Sequence, residues 1–175
     1  MSSVANRETG SIPTALKHLL ASFEREQATT MRVLKALPKE KSELRPHPTC
    51  KTARELAWMF VLEQGAAEKG LTSGFDWSKP PAFPPPPEAY GEVLATLEKG
   101  NARVMELLGG LTDADLTRPV QFFTGPGKIE DIPMFQFLWL MLKDQVHHRG
   151  QFSIYLRMAD AKVPSIYGPT ADERW

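Results

Sequence analysis

The sequence predicts an all-α protein, a four-helix bundle with a long proline-rich crossover between helices two and three. Three observations carry this expectation. Apolar residues recur every three or four positions in four long segments, the spacing of one helix face. Helix breakers close the first three segments, at Pro38, Gly70 and Gly109-Gly110. Neither half of the chain holds enough amphipathic helix to close a core alone, so the 175 residues are expected to form one domain.

The first helix is expected over Ser11 to about Leu37. Leu16, Leu20, Phe23, Gln27, Met31 and Leu34 mark its inner face, Ser11 is placed to cap it, and Pro13 is tolerated in a first turn. Residues 1–10 are polar and read as a disordered arm ahead of a domain spanning 11–170. Two prolines in Glu43-Leu-Arg-Pro-His-Pro-Thr-Cys50 favour an extended connection. The second helix opens on Thr52-Ala-Arg-Glu55. In this capping box the hydroxyl and the carboxylate each satisfy a free backbone N–H. It continues through Leu56, Met59, Phe60 and Glu63, and Gly70 is expected to stop it. Thr72 to Pro87, ending Phe83-Pro-Pro-Pro-Pro87, favours polyproline II and reads as an ordered surface crossover.

The third helix is expected from Glu88 to Leu108, with Tyr90, Val93, Leu97, Val104 and Leu107/Leu108 inward. Thr112-Asp-Ala-Asp115 suits the start of one short helical turn, and Gly125-Pro-Gly127 inside Val120–Ile129 suits a small hairpin. The fourth and longest helix is expected over Ile132–Ala159, with Gly150 marking a close approach to another helix. After it, Val163–Pro169 reads as extended and residues 171–175 as a loose tail. The apolar excess of Met134–Leu142 exceeds what one stripe of a bundle helix buries, so part of it is expected in a homodimer interface.

Lys+Arg and Asp+Glu balance at 21 each, which removes the electrostatic footprint of a nucleic-acid binder and any charge reason to seek a membrane surface. The single cysteine, Cys50, excludes a disulfide framework and points to a reducing cytosol. No signal peptide is visible, and Phe137–Leu142, the most apolar run, is too short to span a bilayer.

Residues 144–151 read Asp-Gln-Val-His-His-Arg-Gly-Gln inside the fourth helix. Asp144 and His148, four apart, lie on one face, and that face continues through Phe137, Met141 and Tyr155, so it is expected to look into the core. A carboxylate and an imidazole there need a partner. A divalent metal is one; a carboxylate–imidazole hydrogen bond, or an Asp144–Arg149 ion pair, is another. His147 is one residue off that face. Arg149 and Gln151 read as anchors to loop carbonyls or to a partner chain. His18 and His47 are expected at the surface. Cys50 precedes a helix N-terminus, which can lower a thiol pKa, but no base is identifiable beside it. Trp58, Phe60, Trp77, Phe135 and Trp139 are expected in the core or the dimer interface.

The string His147-His-Arg-Gly-Gln151, followed by Tyr155-Leu-Arg157 and Pro164-Ser-Ile-Tyr167, resembles the DinB/YfiT family. Glu55-Leu-Ala-Trp-Met-Phe60 with Glu63 matches that family's helix-two pattern, and in order of elements the likeness spans nearly the whole chain. The resemblance implies a four-helix bundle, commonly homodimeric. Many members hold a divalent metal through one histidine on helix two and a His-x-x-x-His pair on helix four. Some relatives are thiol-dependent transferases or isomerases; others have no known activity. Carried onto this chain, the helix-four ligands fall on Asp144 and His148, and the helix-two histidine falls on Met59, whose thioether is a poor ligand for Zn, Ni or Mn. Glu63, one turn along, is then expected to be the third ligand or the catalytic base, leaving room for water. The resemblance thus implies a cytoplasmic enzyme of the hydrolase or thiol-dependent transferase type, using one divalent metal on a small-molecule substrate. The alternative is a metal-free relative that keeps the fold and dimer as a binding or stress-response protein.

Overall fold

The computed structural model describes residues 14–79, 81 and 83–174. It contains helices α1 (Ala15–Lys35), α2 (Ala53–Leu71), α3 (Tyr90–Gly109) and α4 (Met134–Met158), with an antiparallel hairpin β1 (Pro119–Gly125) and β2 (Lys128–Pro133) between the last two. α1 and α2 each pack against both α3 and α4. The first two helices therefore stand diagonally across the bundle, as do the last two.

Local chemistry explains the element ends. α1 is capped by Thr14, whose hydroxyl oxygen accepts from Lys17 N at 3.4 Å. The expected cap, Ser11, lies outside the described residues, as does the arm 1–10. At α2 both halves of the capping box form: Glu55 N donates to the Thr52 hydroxyl at 3.1 Å, and Thr52 N donates to the Glu55 carboxylate at 2.7 Å. A second box, Thr112 with Asp115, opens the short 3-10 turn Asp113–Thr117, and Asp113 accepts from Leu16 N at 3.2 Å, tying that turn to the start of α1. Gly110 caps α3 as expected.

Two glycines differ from expectation. Gly70 does not stop α2 but lies within its last turn, because Phe137 of α4 packs there: a Cβ at Gly70 would stand 2.2 Å from Phe137 Cε1. Gly150, expected at a close helix approach, has nothing within 4 Å of the same construction.

In the hairpin, Val120 pairs with Ile132 and both are buried, while Phe123 pairs with Ile129 and both are exposed. Gly127, at φ +67°, makes the turn. Between α2 and α3 the described residues carry no helix or strand and are held by side chains. Trp58 Nε1 donates to Pro84 O at 2.7 Å, Arg54 donates to Pro87 O at 3.0 Å, and Trp77 Nε1 donates to Gln121 O at 3.2 Å. Phe75, Trp77, Phe122 and Phe137 form one aromatic cluster under the hairpin, with Phe122 and Phe137 centroids 5.0 Å apart.

The tail is not loose over its described residues. Asp172 accepts from Val163 N at 2.8 Å and pairs with Arg157 at 2.6 Å, while Glu173 accepts from Ser165 N at 2.6 Å and pairs with Arg32 at 3.2 Å. Two carboxylates thus fold the tail back onto α4 and α1; Trp175 lies outside the described residues. Within Met134–Leu142, most of the apolar excess is buried in the chain itself, and Phe135 is its exposed member. Among the described residues no helix is long and apolar enough to cross a membrane.

Candidate metal centre

The apolar interior is two clusters rather than one. The first gathers Leu19, Phe23, Leu108, Phe137 and Leu138, and the second gathers Val33, Phe60, Val93, Phe152 and Leu156. On every helix the stretch between them is polar and buried: Glu26, Gln27 and Thr30 on α1, Glu63 and Gln64 on α2, Asn101 on α3, and Gln145 and Arg149 on α4. This belt crosses the middle of the bundle. Gln64 Nε2 donates to Asn101 Oδ1 at 2.7 Å, linking α2 to α3.

At the α2–α4 seam the belt carries the predicted site. Glu63, Asp144 and His148 each bring one ligand-capable atom to within 4.8 Å of the others. The i, i+4 spacing on α4 and the position of Glu63 on the facing helix suffice to converge them. Asp144 and His148 are half-buried rather than in the core, because the face that points straight inward is one residue on, at Gln145 and Arg149. Glu63 is the buried member. Its Oε1 shares a hydrogen bond with His148 Nδ1 at 2.5 Å, and its Oε2 is buried with no hydrogen-bond partner among the described residues. Phe60 meets the His148 ring edge-on, with centroids 6.1 Å apart.

Burial dominates the electrostatics. It pushes the Glu63 carboxyl up to about 7, against the opposing pull of His148, and Asp144 nearby adds to the rise. The hydrogen bond that His148 Nδ1 donates to Glu63 outweighs partial burial and holds the imidazolium form to higher pH than usual. Two carboxylates and one imidazole in a half-buried seam, with one Glu63 oxygen unpaired among the described residues, form a set that a divalent cation fits. Met59 packs against the second apolar cluster, as core filler would.

The remaining expectations divide. Arg149 does not pair with Asp144 and does not reach a loop carbonyl. It is 1% exposed and donates to Glu26 Oε2 at 2.5 Å, to Glu26 O at 3.1 Å, to Thr30 Oγ1 at 3.2 Å and to Tyr167 Oη at 2.7 Å. His147 is exposed and hydrogen-bonds Gln151, also exposed, at 3.0 Å. His18 and His47 are exposed as expected. Two clefts, of about 580 and 380 Å³, lie on the α1 side, and neither is lined by Glu63, Asp144 or His148. The belt residues Glu26, Gln64, Asn101 and Gln145 were not singled out from the sequence. Their signal was a polar interruption at matching depth in each apolar repeat.

A family model described as the DinB family matches residues 6–174. YrdA of Bacillus subtilis strain 168, an uncharacterised protein, is 31% identical over 163 residues, 91% of this chain and 92% of its own. Among solved structures, a DinB-like protein from Bacillus cereus is 27% identical with a TM-score of 0.73, covering 86% of this chain and 97% of that one. YfiT from Bacillus subtilis, described as a probable metal-dependent hydrolase with an unusual four-helix bundle topology, is 18% identical with a TM-score of 0.65, covering 90% and 95%.

Proposed function

The chain belongs to the DinB family, and we propose that within it the protein is a divalent-metal-dependent enzyme of the hydrolase or thiol-dependent transferase type acting on a small molecule. The observation that carries this reading is the convergence of Glu63, Asp144 and His148 within 4.8 Å of one another, with one Glu63 oxygen buried and unpaired among the described residues. That YfiT is described as a probable metal-dependent hydrolase supports it.

Glu63, Asp144 and His148 would hold the ion; when bound it supplies a Lewis acid that makes a water or thiol nucleophilic near neutral pH. The protein's own contribution is legible in the contacts. Glu63 Oε1 fixes the orientation of the His148 ring through Nδ1, and the pair can keep a proton between these two atoms. Phe60, fully buried, excludes water from the back of that ring. Asp144, half-buried, stands at the edge of the seam and carries the negative charge closest to solvent. The assembly we propose is a homodimer, through Phe135, Ile154 and Met158, which α4 leaves exposed.

Titration calorimetry with Zn, Ni and Mn tests the reading. Wild type should bind one ion per chain, His148→Ala should abolish binding, and Met59→His, restoring the family's helix-two imidazole, should tighten it at least about tenfold. Absence of binding in both wild type and Met59→His would overturn it. A second, metal-free reading draws on the 2.5 Å Glu63–His148 bond, in which a proton holds the two groups together without any cation. On that reading His148→Ala changes stability and leaves a near-zero metal content unchanged.

A further inference from the structure

The cleft of about 380 Å³ between α1 and α4 lies across α4 from the metal ligands, and nothing in the proposed chemistry uses it. Leu142 and Val146 form its apolar floor, Trp139 stands at one wall and Tyr167 at another. Its charge is one-sided. Glu26 contributes a carboxylate, but Arg149 and Arg25 both pair with it, at 2.5 and 3.3 Å. Lys143, exposed on the same lining, has no ion-pair partner among the described residues. Of the lining residues Arg25 and Lys143 are cations and Glu26 is the anion, and with Arg25 paired to Glu26 the Lys143 ammonium is the charge left without a counter-ion.

Tyr167 is exposed along its ring, yet its hydroxyl is held, donating to Glu26 Oε2 at 2.7 Å, and its face lies 5.2 Å from the Arg149 guanidinium. The aromatic wall is thus anchored to the belt and preorganised. An apolar floor, a fixed ring and an indole select a flat apolar body, and the unpaired ammonium at Lys143 selects a negative group attached to it.

We infer that this cleft is a binding site for a small organic anion with an aromatic or flat apolar body, its charge on Lys143 and its body against Trp139 and Tyr167. The inference stands apart from the metal site and does not depend on it.

The test titrates the full-length protein with phenylacetate and, separately, with the neutral phenylacetamide. The indole N–H signals of the four tryptophans are followed by 15N NMR, with Trp139 assigned from Trp139→Phe. Phenylacetate should shift the Trp139 signal saturably while Trp58 and Trp77 stay put, and the amide should bind about tenfold more weakly. Lys143→Ala, a change at an exposed position, should weaken phenylacetate about fivefold, and Lys143→Arg should restore it. Equal affinity for acid and amide, an unmoved Trp139, or an unaltered affinity in Lys143→Ala would each overturn the inference. So would a Trp139 shift that follows protein concentration alone, which marks a contact between copies of the chain.

Discussion

Arg149 shows how far a single side chain can depart from its reading in sequence. A charged residue late in an amphipathic helix looks like a surface anchor, and nothing local says otherwise. Its partners Glu26 and Thr30 lie 123 and 119 positions earlier, and only the assembled bundle brings them together. The candidate metal ligands were easier to see, since Asp144 and His148 are one helical turn apart and Glu63 lies one turn beyond the helix-two position of the family pattern. Arg149→Ala should cost about 3–5 kcal/mol in urea denaturation, because removing one partner of a buried pair strands the other charge. A loss under about 1 kcal/mol would mean that the pair is effectively solvated. The same variant should alter acid stability. Burial alone would raise the Glu26 carboxyl, but hydrogen bonds from Tyr167 and Arg149 and the Arg149 charge outweigh it, and the group lies below the usual carboxylate range. The folded chain therefore binds this proton less readily than the unfolded one. Its contribution is complete above the ordinary carboxylate pKa and is lost as pH falls through the lower folded value. Between about pH 5 and pH 3, stability should fall more steeply in wild type than in Arg149→Ala.

At the scale of elements, the helices were legible because their signals are local. Thr52-Ala-Arg-Glu55 forms the box that it spells, and Gly110 caps α3. The glycines within helices were not legible, because their meaning lies in the neighbouring helix. Gly70 and Gly150 make the contrast measurable. Gly70→Ala drives a methyl into Phe137, which is fully buried in the aromatic cluster, and should destabilise by about 1–3 kcal/mol. Gly150→Ala meets open space inside α4 and should stabilise by about 0.5–1 kcal/mol through helix propensity alone. Thermal denaturation of the two variants should therefore shift in opposite directions; a shared direction would contradict the packing at Gly70.

For the whole molecule, the bundle was predictable from periodicity, whereas the division of its core was not. A lone Gln27 or Gln64 in an apolar repeat reads as an imperfection. The polar belt becomes visible only when four such interruptions fall at one depth. The proposed dimer belongs to this scale too. Phe135, Ile154 and Met158 are 39%, 57% and 45% exposed along α4, apolar area that a second copy can cover. Sedimentation at micromolar concentration should give about twice the chain mass, and Phe135→Glu with Ile154→Glu should return it to the monomer. A wild-type monomer under those conditions would rule the dimer out.

The belt also works as a key. Sliding one helix along its neighbours by a turn moves it about 5.4 Å. That shift would carry Arg149 or Glu63 into layers of phenylalanine and leucine, at a cost of several kcal/mol on the order expected for a stranded buried charge. Two purely apolar halves would tolerate such slips far better, since one leucine layer resembles the next. The amides and charges thus give the four helices a single vertical alignment, and with it a single height at which Glu63 meets Asp144 and His148. Replacing Gln27 and Gln145 by Leu removes two groups that each leave a buried polar atom unpaired among the described residues, so the variant should resist urea better than wild type. Its amide NMR signals should nonetheless double or broaden as neighbouring alignments become accessible. One sharp set of signals would instead assign the alignment to the shapes of the apolar layers.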